Sequence, residues 1–103
     1  MNKNTIPFAL VHYDVWGPFP ILIDSGVRWF VIFVDDCTHM TWLYLMKHKD
    51  EVLHMFQSFH SMIQTQFFSK LRVLCPNNGD EYVNQCFRTY FKHHGLVHET
   101  SCP

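Results

Sequence analysis

The chain has 103 residues, of which 48% are hydrophobic and 17% aromatic, so it can form the core of one small domain and is not disordered by composition. Eight Lys and Arg residues face nine Asp and Glu residues, which gives a formal net charge of −1 at pH 7 with His neutral. Because domains that bind DNA through its phosphates are usually basic, this balance argues against DNA binding that depends on bulk charge.

The sequence shows no feature of a membrane or secreted protein. No stretch approaches the ~20 consecutive apolar residues of a transmembrane helix, and no apolar secretion signal follows Met1. Without a secretion signal, a nuclear or cytoplasmic protein with free thiols is expected. Its four cysteines form no CxxC pair: Cys37, Cys75, Cys86 and Cys102. His94, His98 and Cys102 follow one another at intervals of four, but a zinc site needs a second close pair, which the sequence lacks. The three are therefore interpreted as polar residues around a helix end and the strand that follows it.

The first predicted element is a strand near the N-terminus. A flexible lead-in over residues 1–7 precedes one domain over 8–103. The segment 8–15 reads FALVHYDV, which is apolar enough for a strand. The strand ends at Gly17-Pro18, with Pro20 soon after, because proline opposes continued ladder pairing.

Two further strands follow a loop around residues 24–26. The segment 28–35 is almost wholly apolar, β-branched or aromatic, which predicts a strand buried on both faces. The connection 36–39 is short, and 40–47 reads as another strand. Strands joined so closely form an antiparallel hairpin.

The apolar period changes from two to about 3.6 over residues 49–67, which predicts a helix. Asp50 and Glu51 occupy its first turn, where negative charge favours the helix dipole. Its apolar face is predicted to be core and consists of Val52, Met55, Phe56, Phe59, Met62, Ile63 and Phe67.

The last third of the chain alternates strands with a helix. The segment 70–75 predicts a strand that Pro76-Asn77-Asn78-Gly79 ends in a turn. A helix over 84–94 follows, with Asn84 as its cap, Gly95 as its end and Phe87, Tyr90 and Phe91 on one face. A short strand over 96–100 completes the order.

Three meandering strands followed by helices and strands in alternation predict an α/β fold with a mixed five-stranded sheet. The fourth strand can return parallel to the first, which brings Asp14 close to the turn 75–82. Ligands bind at such strand ends in open α/β sheets, and convergent carboxylates there could hold Mg²⁺.

Several segments carry a family resemblance. LVHYDVWGPFP has an Asp before a Trp-Gly-Pro turn, and RWFVIFVDDCTHMTWLYLMKHKDEV, NNGDEYVNQCF and HGLVHETSCP continue the match from about residue 6 to residue 103. In these blocks the chain resembles the catalytic core of copia-type retrotransposon integrases. The resemblance implies a ribonuclease H-like fold whose C-terminal helices are missing from these residues.

The resemblance also implies a site. Family members bind two Mg²⁺ ions with an Asp-Asp-Glu triad and join their element's DNA to target DNA. Asp14 matches the first Asp, whereas Asn77 occupies the position of the second, and the third acid lies beyond residue 103. The expectation is a remnant metal ligand at Asp14, no stably bound Mg²⁺, weak DNA binding at best and no catalysis.

Other polar residues near these motifs receive less specific interpretations. Asp80 and Glu81 are expected to be solvated turn acids, and Asp35 and Asp36 are expected to serve the hairpin rather than a metal. His12 lies two residues before Asp14 and therefore on the same face of the strand, as a residue lining the vestigial site or as a satisfied core histidine. Trp16 is favoured as a packed aromatic over a base-stacking platform.

Two alternative functions remain open at the level of sequence. The chain could be a host-co-opted protein-interaction module without chemistry, associating through apolar sheet surface that the missing helices would cover. It could also be a translated fragment without function. The basic residues do not decide the matter, because they are scattered: Arg28, Lys47, Lys49, Lys70, Arg72, Arg88 and Lys92.

Overall fold

A computed structural model describes residues 6–20, 26–76 and 85–98. Five strands form one sheet in the order β3-β2-β1-β4-β5, where β1 to β3 are antiparallel neighbours and β4 and β5 run parallel to β1. The mixed five-stranded α/β sheet predicted from the sequence is confirmed. Its elements are β1 Leu10–Trp16, β2 Trp29–Asp35, β3 Thr41–Met46, α1 Val52–Gln66, β4 Val73–Pro76, α2 Gln85–His94 and β5 Val97–His98.

The two faces of the sheet differ in burial. Both helices pack on one face, where Phe33 of β2 stacks on Phe59 of α1 at 4.6 Å between ring centroids, and Phe56 of α1 stacks on Phe87 of α2 at 6.0 Å. On the opposite face Leu43 and Leu45 of β3 are 55% and 53% exposed. We refer to this second face as the open face.

The prediction that the second strand is buried on both faces is wrong. Val31, Phe33 and Asp35 are buried, whereas Ile32 and Val34 are only partly buried. The cause is the one-sided helix packing, because the alternate residues of β2 lie on the open face. An apolar composition alone does not distinguish a strand covered on both faces from one covered on one.

The first helix begins with a 3₁₀ turn over Lys49–Glu51. The Glu51 carboxylate accepts hydrogen bonds from the backbone N–H groups of His48 and Lys47, at 2.8 and 3.2 Å, and so satisfies donors at the helix entrance. The predicted apolar stripe is largely buried, but Phe67 is exposed because the helix ends at Gln66.

Strand boundaries shift for local reasons. The first strand begins at Leu10 rather than residue 8, because Phe8 has a φ of 67° that a strand does not allow. The fourth begins at Val73, since the Ala9 carbonyl accepts both the Arg72 and Val73 N–H groups there. At the C-terminal end of α2, Gly95 has a φ of 66°, as its predicted role as helix end requires.

Some predictions fall outside the described residues: the cap at Asn84, the turn from residue 77 onward and residues 99–100 of the last strand. The expectation of free thiols holds for Cys37 and Cys86. It is wrong for Cys75, which is disulfide-bonded. A disulfide depends on spatial proximity in the folded chain, which cysteine spacing along the sequence does not report.

Candidate functional site

The carboxyl ends of β1 and β4 lie side by side. The two strands are parallel, and their register pairs His12 with Cys75 and Tyr13 with Pro76. Asp14 follows Tyr13 and therefore lies next to the end of β4, where the turn 75–82 begins, but the predicted approach to residues 77–82 of that turn lies outside the described residues. Asn77, Asp80 and Glu81 follow Pro76 in the sequence but lie outside the described residues.

Asp14 lies on the open face near the end of β1. Its carboxylate is partly buried, and its Oδ1 atom is out of contact with solvent. A cavity of about 410 Å³ adjoins it, lined also by His12, Trp16, Ile32 and Val34. Asp14 therefore brings one carboxylate to a mainly apolar cavity at the end of a strand.

His12 shares the cavity with Asp14, as the period of two predicted. Its Nε2 atom lies 3.0 Å from Oδ1 of Asp36, which follows β2. Asp36 thereby orients the imidazole and leaves its other nitrogen for a second partner. No local pattern predicts this pair, because its members are 24 positions apart, one in β1 and one just after β2.

Asp35 has the structural role expected of it. Its side chain is fully buried, and Oδ1 accepts the backbone N–H of Phe8 at 2.8 Å. Oδ2 accepts the backbone N–H and the hydroxyl of Thr38, at 2.9 and 2.8 Å. One carboxylate therefore joins the hairpin turn to the residue that precedes β1.

Magnesium requires several hard oxygen ligands, usually including more than one carboxylate in a protein site. No group of three His, Cys, Asp or Glu residues suited to a metal exists within residues 6–20, 26–76 and 85–98. Of the two positions that the resemblance relates to metal ligands, Asp14 falls in these ranges and Asn77 does not. The described donors, taken alone, do not fit a magnesium site.

The two histidines considered for zinc have different contacts in the fold. His98 is hydrogen-bonded through Nε2 to the Tyr13 hydroxyl at 3.0 Å. His94 instead packs against Tyr90 and His60, with ring centroids 4.2 and 5.4 Å away. Cys102 lies outside the described residues.

A buried histidine between the two helices was missed by the sequence reasoning. His60 is 3% exposed, and its Nδ1 atom lies 2.6 Å from the Tyr90 hydroxyl. Burial lowers the pKa of His60, and the positive charge of nearby His94 lowers it further. Burial also raises the pKa of Tyr90, so the hydroxyl keeps its proton. The spacing along the helix could have indicated its burial, because His60 follows the buried Phe56 by one helical turn.

Trp16 is packed on one side and open on the other. Its ring stacks on Phe30 with centroids 6.2 Å apart, yet 47% of the residue is exposed. The predicted packing of Trp16 is thus present on one side of its ring, and the other side faces solvent.

Within the described ranges, no helix is long and apolar enough to cross a membrane.

Comparisons with known proteins agree with this architecture. The sequence model described as "Integrase core domain" matches residues 4–103. The chain is 39% identical over 94 residues to the retrovirus-related Pol polyprotein from transposon TNT 1-94 of Nicotiana tabacum, which covers 91% of this chain and 7% of the polyprotein. It is 37% identical over 101 residues to the Pol polyprotein from transposon RE1 of Arabidopsis thaliana, covering 98% of this chain and 7% of that protein.

Two solved structures share the fold. The HTLV-2 integrase catalytic core domain, in complex with magnesium in a dimeric form, superposes with a TM-score of 0.69 at 15% identity, over 91% of this chain and 60% of that one. A chain of the simian T-cell lymphotropic virus intasome, in complex with PP2A regulatory subunit B56 gamma, gives a TM-score of 0.66 at 14% identity, over 95% and 36%. These similarities identify the sheet as ribonuclease H-like. The chain spans about 7% of the Pol polyproteins that it matches.

Proposed function

The chain belongs to the integrase core domain family, and from this we propose that its 103 residues form an integrase-core segment that binds DNA weakly and does not catalyse strand transfer. The related Pol polyproteins come from retrotransposons. The family membership supports DNA as the ligand, and the residues of the site support the loss of catalysis.

One observation carries the proposal. Asp14 lies at the end of β1, beside the end of β4, and the sequence continues from Pro76 into Asn77. By resemblance, position 77 is where the family has its second metal-binding Asp. An amide there supplies a neutral oxygen in place of a charged one, whatever sequence follows residue 103 in a longer protein.

The size of this loss can be bounded. Two unit charges ~4 Å apart interact by about 4 kcal/mol at an effective dielectric constant of 20, and a divalent ion is affected more strongly. Four kcal/mol corresponds to roughly three decades of rate. A reaction that depends on two bound cations would therefore fall below ordinary detection.

A strand-transfer assay with Mg²⁺ or Mn²⁺ tests the catalytic part of the proposal. We expect no product above background from the 103-residue chain. Activity that is present in this chain and vanishes in Asp14→Asn would show that the site works, and the proposal would be wrong.

Restoring the acid tests the reason for the loss. We expect Asn77→Asp to bind Mg²⁺ more tightly than the unmodified chain in isothermal titration calorimetry, because a second carboxylate strengthens the attraction for the cation. The double variant Asp14→Asn with Asn77→Asp is the control and should lose the gain. Equal affinity in all three proteins would contradict the assignment of position 77.

DNA binding is tested separately by a gel shift at several salt concentrations. Weak binding through a few phosphate contacts should weaken as salt rises, with a shallow slope. Absence of a shift even at low salt would contradict the DNA-binding part of the proposal.

A protein-interaction module is the second candidate function. It is favoured by Leu43 and Leu45, which expose more than half of their surface on the open face. A chain that unfolds cooperatively on heating but gives no gel shift would support this alternative. A chain without cooperative unfolding would be a translated fragment with neither function.

A further inference from the structure

We propose that Trp16 is a stacking platform for an unpaired nucleobase of DNA, next to the Asp14 carboxylate. This role depends on the DNA binding proposed above and extends it to one residue, one ligand group and one mode of recognition. Base stacking on aromatic rings is independent of net protein charge, which suits a chain whose formal charge is −1.

Three aromatic rings form a nearly parallel stack at the end of β1. Phe30 is the middle ring, 6.2 Å from Trp16 with planes 19° apart and 5.5 Å from Phe19 with planes 7° apart. Phe19 and Phe30 are partly buried, whereas Trp16 is 47% exposed. An indole that is backed by a second ring and open to solvent presents the surface on which a base stacks.

The platform is held in place before any ligand arrives. Trp16 and Phe30 are directly paired in the β1–β2 ladder. The Phe19 N–H donates to the Arg28 carbonyl at 2.8 Å, which keeps the third ring against the end of β2. Gly17 permits this path, because a Cβ atom there would lie 2.6 Å from the Trp29 ring. A preformed surface reduces the entropy lost on binding.

Charge around the stack fits a nucleotide. Asp14 lines the same cavity as Trp16 and repels phosphate on that side. At the Phe19 end, Arg28 is exposed and donates from Nε to the Phe19 carbonyl at 3.0 Å. A guanidinium has five N–H donors, so the others are available to a phosphate. A strand with one base on Trp16 would therefore keep its phosphates away from Asp14, and a phosphate further along the strand could reach Arg28 at the other end of the stack.

An aliphatic protein partner is the competing occupant of the open face. Such a partner would be expected to bury Leu43 and Leu45 of β3, of which Leu45 is the ladder neighbour of Phe30 whereas Leu43 pairs with Ile32 outside the aromatic stack. The stack of parallel rings next to a cation is instead a surface typical of single-stranded nucleic-acid sites. Variants on β3 therefore separate the two.

The test compares two labelled probes by fluorescence anisotropy at low salt. One is a ten-unit single-stranded oligothymidylate, and the other is a ten-unit abasic deoxyribose-phosphate chain with the same backbone. We expect the thymidylate to bind more tightly. Trp16→Ala should weaken thymidylate binding by roughly 5- to 150-fold, the range for one stacked base, and leave abasic binding unchanged.

Three further variants sharpen the test. Trp16→Phe should keep most of the affinity, Trp16→Leu should lose as much as Trp16→Ala, and Leu43→Ala should bind like the unmodified chain. Thymidylate should also quench tryptophan fluorescence in the unmodified chain and much less in Trp16→Phe.

The outcomes distinguish this inference from the proposed function. Binding to neither probe would overturn both. Equal binding to the two probes, with no effect of Trp16→Ala, would overturn the stacking role and leave DNA binding intact. A loss of abasic binding in Trp16→Leu, or a loss in Leu43→Ala equal to that in Trp16→Ala, would also overturn it, since the contact would then be phosphate or aliphatic surface.

Discussion

Neighbouring acids in this chain differ because of the atoms that surround them. Asp35 is buried and accepts three hydrogen bonds, whereas Asp36 is partly exposed and pairs with His12. In the sequence these are two adjacent aspartates at the hairpin end, and the same structural role in the hairpin is predicted for both. The contacts of Asp35 agree with that prediction, whereas the partner of Asp36 is a residue of another strand that no local pattern indicates.

Removing the Asp35 carboxylate should destabilise the fold. Asp35→Ala leaves the buried N–H of Phe8 without its acceptor and releases the Thr38 turn. We expect a loss of about 2–4 kcal/mol in the free energy of unfolding, since hydrogen bonds to charged groups contribute ~1.5–3 kcal/mol each and do not add fully. Urea denaturation measures it.

A matched control is Asp50→Ala, because Asp50 is an exposed acid of the 3₁₀ turn. Its removal should change stability by no more than about 0.5 kcal/mol. Equal losses in the two variants would mean that the hydrogen bonds of Asp35 contribute nothing specific.

At the level of elements, the sequence predicts what local periodicity determines. All five strands and both helices lie where the apolar patterns indicate, and the β2–β3 hairpin follows from its short connection. The sequence does not predict what depends on tertiary packing. The one-sided burial of β2, the disulfide-bonded state of Cys75 and the contact between His60 and Tyr90, 30 positions apart, are set by the folded arrangement and not by local sequence.

The candidate site divides in the same way. The position of Asp14 beside the end of β4 follows from strand order and the handedness of crossovers, so it was predictable. The shared face of His12 and Asp14 follows from the period of a strand. The exposure of Trp16 was not predictable, because it depends on which elements cover the open face.

The contact between α1 and α2 should make stability depend on pH. The pKa of His60 is lowered in the folded protein, so the unfolded chain binds its proton more readily. Neutral His60 makes its full contribution to the free energy of unfolding above pH ~6.5, the ordinary pKa of histidine. It is lost as pH falls below that value toward the lower pKa of the folded state.

Urea denaturation between pH 7.5 and 5 measures this effect. The free energy of unfolding should fall more steeply in the unmodified chain than in His60→Gln, by no more than about 1.4 kcal/mol per pH unit, the limit for one proton. His54→Gln is the control, because His54 is exposed on the same helix. If His60→Gln keeps the full slope and His54→Gln loses it, the source of the pH dependence is not the buried contact.

At the scale of the molecule, the open face presents apolar surface to solvent. It combines exposed leucines with an edge strand, because β3 is the outer strand of the sheet. Exposed apolar patches and unpaired strand edges both promote association. We therefore expect the isolated chain to self-associate at high concentration.

Substitution of the two leucines tests this expectation. Leu43→Thr with Leu45→Thr removes apolar surface and keeps residues that favour strands, so stability should change little while sedimentation equilibrium shows weaker association. Phe68→Asn is the matched control: Phe68 is 89% exposed, lies after α1 and has a φ of 51°, which Asn tolerates. Association that depends on Phe68 and is unaffected by the leucine variant would place the contact outside the open face. Association that depends on the leucines alone would place the contact on the open face.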